Sequence, residues 1–205
     1  MCPFCIGSAA LLAGGVFSAG GLATAVVNKL HSSSSRKGAV MKVADTMLIE
    51  LDQEAKTTKR VLDRIPDDKL SWRPHPKAFS LGQLGLHIAS LPGGISAAIV
   101  KDSMEVPDFS QPEAKSRQEI LDTFSKGMES ATDALKNMDD ARINSTWSLT
   151  RKGQVIMSVP RIAFLRSILM NHNYHHRGQL SVYLRILDVP VPSIYGPSAD
   201  ENPFV

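Results

Sequence analysis

From Val43 onward, apolar residues recur at helical spacing in stretches that proline brings to an end. This periodicity restricts the fold more than any other feature of the chain. Leu48, Leu51, Ala55, Leu62 and Ile65 fall on one face of a helix predicted from about Val43 until Pro66 stops it. The prolines of Trp72-Arg73-Pro74-His75-Pro76 forbid a helix there and predict a connector. Ser80 is placed to cap a second helix carrying Leu81, Leu84, His87 and Ile88, which Pro92-Gly93-Gly94 is expected to kink or interrupt. Ser116-Arg117-Gln118-Glu119 reads as a capping box opening a third helix, with Ile120, Phe124, Met128, Ala131, Leu135 and Met138 on one face. Asn144 to Met157 is irregular or a short β-hairpin around Lys152-Gly153. Pro160 suits the first turn of a fourth helix running to about Leu187, and Pro190, Pro192 and Pro197 force an extended tail. Four amphipathic helices with little strand signal predict an all-α, up-down four-helix bundle over residues 41–205.

The first 40 residues differ in kind. Phe4 to Val27 contains no charged residue and is rich in Ala, Gly, Leu and Val. A spanning helix needs roughly 20 such residues, so a single transmembrane helix is expected within residues 1–30, contacting the bilayer through residues 4–27. Gly14/Ser18, Gly15/Ala19 and Gly21/Ala25 supply small-xxx-small spacings. Lys29, Arg36 and Lys37 follow the apolar run, which predicts a membrane-anchored chain with its domain in the cytoplasm. The alternative is a cytoplasmic, soluble protein whose translation starts at Met41. Ser32 to Ser35, within residues 31–40, reads as a flexible linker.

Those three basic residues account for the whole formal charge of +3, leaving 20 basic against 20 acidic residues in the rest. A neutral domain has no basic footprint, so nucleic acid is not an expected partner. Both cysteines, Cys2 and Cys5, lie at the N-terminus, so no disulfide framework holds the domain. Cys2-Pro3-Phe4-Cys5 matches the spacing of a redox dithiol or half a zinc knuckle. With no second such pair, two incidental thiols at the end of a membrane helix are the default.

Three of the six histidines fall in Asn171-His172-Asn173-Tyr174-His175-His176, inside the fourth helix. His172 and His176, at i,i+4, project from one face and can grip one divalent ion. Counting in steps of 3.6 from Leu165 puts both on the core-facing stripe with Leu169 and Tyr183, and puts His175 about 80° away, toward a seam or solvent. His172/His175 at i,i+3 is the competing pair. His87, set among leucines, is the best third ligand, because a buried imidazole needs partners for its nitrogens; a hydrogen-bonded core histidine is the alternative. Arg177 reads as an external ion-pairing residue, since arginine is seldom fully buried; a substrate clamp is the alternative. Tyr183 reads as core, or as a wall of the pocket. The H-E-x-x-H zinc-protease pattern is absent.

His87 within Leu-Gly-Leu-His-Ile-Ala, His172-x-x-x-His176 followed by Arg177-Gly178-Gln179-Leu180, and the tail Val189-Pro190-Val191-Pro192-Ser193-Ile194-Tyr195-Gly196-Pro197 together resemble the DinB/YfiT-like family. Leu48 to Leu70 with Trp72-Arg73-Pro74 also looks like that family's first helix and connector. The resemblance covers about Met41 to Asp200, and the N-terminal segment is foreign to it. It implies a four-helix bundle whose divalent metal is held by His87, His172 and His176. It further implies a metal-dependent thiol S-transferase or a hydrolase acting on a small molecule, with metal-bound water or a low-molecular-weight thiol as nucleophile. Zinc, nickel and iron all accept imidazole, so the ligands do not name the metal. The reading from a different class is a non-catalytic, membrane-tethered metal-binding or stress-response module. Bundle faces and the anchor also leave room for a homodimer.

Overall fold

The computed structural model describes residues 41–107 and 110–204. In chain order the elements are α1 (Val43–Leu62), a short 3-10 turn (Asp67–Lys69), α2 (Leu81–Ile99), β1 (Ser103–Glu105), α3 (Arg117–Lys136), α4 (Asp140–Asn144), β2 (Thr146–Arg151) and β3 (Gln154–Pro160). A last helical stretch follows in three pieces: α5 (Arg161–Phe164), a π-helical segment (Leu165–Asn171) and α6 (His172–Ile186).

Local chemistry sets most of these boundaries. At the start of α2 the Ser80 hydroxyl accepts from Gln83 N at 3.0 Å, and the Gln83 side chain accepts from Ser80 N at 3.0 Å. This reciprocal cap satisfies two donors that the first helical turn leaves unpaired. The box expected at α3 is half made: Ser116 Oγ accepts from Glu119 N at 3.1 Å, but the Glu119 carboxylate takes Lys115 N at 2.6 Å. Pro92-Gly93-Gly94 neither breaks nor ends α2, which runs on to Ile99. The reason lies in α3. A Cβ placed on Gly127 would sit 2.9 Å from Gly93 N and 3.4 Å from Ala89 O, so the two backbones touch where side chains are missing. That close packing holds the helix through its proline.

The expected all-α four-helix bundle behind a membrane helix is corrected in two respects. First, the helices share the fold with a three-stranded mixed sheet, order β1-β2-β3. β1 runs parallel to β2 (Met104 opposite Leu149), and β2 runs antiparallel to β3 (Trp147 opposite Val159). The hairpin does turn at Lys152-Gly153, both at positive φ, as a tight two-residue loop requires. The sheet escapes a periodicity search because β1 is three residues long and β3 is exposed at nearly every position, so neither shows apolar alternation. Second, among the described residues no helix is long and apolar enough to cross a membrane. Even α2, which carries no charged residue, is diluted by Gly82, Gln83, Gly85, His87, Ser90 and Ser96. The membrane-anchored localisation is corrected on that finding. The span and paired cysteines expected in residues 1–30, and the linker at 31–40, lie outside the described residues.

Two apolar clusters fill the interior. One gathers Met47 and Leu51 of α1, Ile99 of α2 and Leu135 of α3 around Trp147, whose ring stacks on Phe164 at 3.9 Å. The other joins Leu62, Leu84, Ile120 and Leu180 at the opposite ends of the same helices. Arg161, fully buried, joins the end of α2 and the residues just after it to α4: Nε donates to Ile99 O at 2.7 Å, and the guanidinium reaches Lys101 O and Arg142 O, each at 2.9 Å. Carbonyls at the end of α2, which have no partner within the helix, are satisfied in this way.

Candidate metal centre

α2 and α6 pack side by side, and Asn173 fixes their relative height. Its Nδ2 donates to Ile88 O at 3.2 Å, and its Oδ1 takes the Thr58 hydroxyl of α1 at 3.5 Å. Ile88 adjoins His87, and Asn173 adjoins His172. The buried amide therefore sets His87 opposite the first turn of α6.

The buried stripe of α6 is not the one that straight counting predicts. It runs Asn173, Arg177, Leu180, Leu184, one residue later than the 172, 176, 179, 183 series. The π-helical segment supplies the extra residue: Leu165 and Leu169 still face inward, but a wider turn intervenes before His172. His172 and His176 are thereby rotated off the deepest line to its flank, where both are half-buried. His87 is half-buried too, and His175 is exposed. The pairing of His172 with His175 is not the one the fold uses.

The three imidazoles of His87, His172 and His176 converge, and their ligand atoms all lie within 4.8 Å of one another. Nε2 of His172 is 2.6 Å from Nε2 of His176 and 3.5 Å from Nε2 of His87. Two imidazoles on one tetrahedral ion, with bonds of about 2.0–2.1 Å, hold their nitrogens roughly 3.3 Å apart. The outer nitrogens are occupied: His87 Nδ1 meets Gln111 Oε1 at 3.1 Å, and His176 Nδ1 meets Gln179 Oε1 at 2.7 Å. With those amide oxygens as acceptors, both rings carry their proton on Nδ1 and turn bare lone pairs inward. His172 can donate to only one of them, which leaves the inward lone pair of the other half-buried ring without a donor from among the three. A cation resolves that conflict, so the donor set fits a divalent ion.

Electrostatics favour the neutral, ligating form of each ring. Burial holds His87 below the usual histidine range, and the neighbouring His176 adds to it against the opposing effect of Gln111. Burial likewise lowers His172, helped by His87 and His175. It also lowers His176, against the raising hydrogen bond from Gln179.

Around this centre the Phe79 ring lies 5.8 Å from that of His87. Tyr183 stands half-buried one wall further out, edge-on to Trp72 at 5.6 Å, and its hydroxyl donates to Phe79 O at 3.4 Å. Arg177 differs from its expected external position, being only 1% exposed. It pairs with Glu54 Oε2 at 2.6 Å, donates to Thr58 Oγ1 at 3.1 Å, bonds the Tyr195 hydroxyl, and lies under the Tyr174 and Tyr195 rings. The shift in helix phase that moves the histidines outward moves Arg177 inward. It serves as an anchor for the tail rather than as a substrate clamp. Sequence reasoning did not single out Asn173, Gln111 or Gln179 for roles at the centre. Gln179 stood in the quoted Arg-Gly-Gln-Leu, and Asn173 precedes Arg177 by four residues on one face, but Gln111 carries no local signal.

Helices and a small mixed sheet that bring three histidines together at one seam define a class of helical proteins with a candidate metal centre. The chain belongs to the DinB family, whose family model matches residues 40–202. It is 27% identical over 163 residues to the uncharacterized protein YrdA of Bacillus subtilis (strain 168), covering 77% of this chain and 90% of that one. Among solved structures it resembles a DinB-like protein from Bacillus cereus ATCC 10987, with TM-score 0.58 and 26% identity over 72% of this chain and 95% of the other. A second likeness, to a putative member of the DinB family from Exiguobacterium sibiricum 255-15, has TM-score 0.52 at 18% identity, over 78% of this chain and 98% of that one, and concerns the fold alone.

Proposed function

We propose that His87, His172 and His176 hold one divalent metal ion and that this centre performs metal-dependent chemistry on a small molecule, either transfer to a low-molecular-weight thiol or hydrolysis. The observation carrying this reading is the convergence of three Nε2 atoms, two of them bare because glutamine oxygens occupy the other side of the ring. Three protein ligands leave a coordination position for an exchangeable group, the arrangement of a catalytic rather than a closed structural site. A bound cation would lower the pKa of a coordinated water or thiol and hold it for attack. The protein's own part is to keep three rings neutral, to fix their direction, and to border the centre with Phe79 on its apolar side. No cysteine lies in residues 41–205, so the nucleophile there is not a protein thiol.

The test is elemental analysis of the purified protein, followed by chelation and activity assays on activated esters and on thiol-plus-electrophile pairs. Turnover lost with the metal and regained with a single kind of divalent ion supports the proposal. Turnover that persists after complete chelation rules it out.

A further inference from the structure

Each imidazole at the centre must carry its proton on the nitrogen that faces away from the other rings before all three Nε2 atoms can act together. For two of the three, the fold has built the means. Gln179 follows His176 on the next turn of α6 and takes its Nδ1–H at 2.7 Å. Gln111 comes from the segment between β1 and α3 and takes the Nδ1–H of His87 at 3.1 Å. Gln111 is itself tied down: its carbonyl accepts Gln83 Nε2 at 2.9 Å, while the Gln83 oxygen caps Ser80 N at the start of α2. The buried Ser80 hydroxyl donates to Glu113 at 2.6 Å and anchors the same segment a second time. The cap of α2 and the orientation of His87 are thus one hydrogen-bonded chain. His172 has no such support. Among the described residues its only side-chain partners are the other two rings.

We infer that Gln111 and Gln179 are positioning residues that lock His87 and His176 in the Nδ1–H tautomer, with Gln83 holding Gln111 in place, and that His172 is the ring that changes tautomer when a divalent ion enters. The inference rests on the metal-centre reading above. Without metal, His172 donates Nε2–H to the bare nitrogen of His176, the nearer of the two. Loading needs that nitrogen bare. The proton leaves Nε2 to water and another is taken up on Nδ1, so the ring stays neutral and no net proton is released.

Long-range proton–nitrogen correlation spectra of the full chain, nitrogen-15 labelled, read the tautomers directly. Before zinc is added, His87 and His176 should show protonated Nδ1 and His172 protonated Nε2. After addition of Zn²⁺, all three should show protonated Nδ1. Gln179→Leu and Gln111→Leu should give mixed tautomers at His176 and His87 and weaken zinc binding about 10- to 100-fold. Gln179→Glu keeps an acceptor and should retain both the tautomer and the affinity. A proton on Nε2 of His87 or His176 in the metal-free protein would overturn the assignment. So would leucine variants with wild-type tautomers and zinc affinity. If the wild-type chain takes up no zinc, nickel or iron, the metal-centre reading falls by itself, and the metal-free spectra of the wild-type and leucine proteins still decide the glutamines' role.

Discussion

At His87 and His176 the lone pairs turned toward the centre are the same ones that take up protons on acidification, so metal and protons compete for those atoms. Each ring is held below the usual histidine range, first by burial. In the unfolded chain these histidines titrate near about 6.5. Between that value and their lower folded values the unfolded state binds more protons, so stability rises with pH across the window. The metal-free protein should therefore melt at a constant temperature above roughly pH 6.5 and at progressively lower temperatures below it, as thermal melts in chelator would show. Metal affinity should fall over the same range, because ligation needs the neutral ring. His87→Ala and His176→Ala should each reduce the metal content of the purified protein to near zero, whereas His175→Ala, whose ring is exposed, should leave it unchanged. Elemental analysis measures both outcomes; an unaltered content in His176→Ala would exclude that residue as a ligand.

At the scale of elements, the contact between α2 and α3 and the π-helical segment decide where the site lies. Gly127→Ala would drive a methyl against backbone at Gly93, not against a flexible side chain. The helices must separate, at a cost of about 1–3 kcal/mol, seen as a lower midpoint in urea. Residual metal binding should weaken with it, since α2 carries His87. The end of α1 and the starts of α2 and α3 were legible from Pro66 and from the capping serines Ser80 and Ser116, because such signals act within a few residues, whereas Pro92, expected to kink or interrupt α2, lies inside it. The phase of α6 was not, because the extra residue of a π-helical turn has no sequence signature, and it shifts every later position by one. Counting by 3.6 therefore put His172 and His176 in the core stripe and Arg177 outside. The structure places the histidines on the flank and buries the arginine.

Across the whole molecule, Arg177 joins three distant parts of the chain: Glu54 and Thr58 of α1, its own helix, and Tyr195 of the tail. Arg177→Leu leaves Glu54 partly buried without its cation and should cost about 3–5 kcal/mol, measured by chemical denaturation. Changing Glu54 to Leu as well should recover much of the loss. The tail's register depends on further long-range bonds, such as Arg60 to Ser193 O at 3.2 Å. The sequence by itself determined what short-range chemistry controls: the long helical stretches, the capping serines that open α2 and α3, the turn at Lys152-Gly153, and which histidines stand out by spacing and surroundings. Only the tertiary structure decided the sheet, whose parallel pairing joins Ser103–Glu105 to residues more than forty positions later. Only it brought His87 to His172 and His176, and recruited Gln111 to orient His87. Those contacts are made between segments far apart in the chain. Their free energy comes from packing and hydrogen bonds that no local window contains.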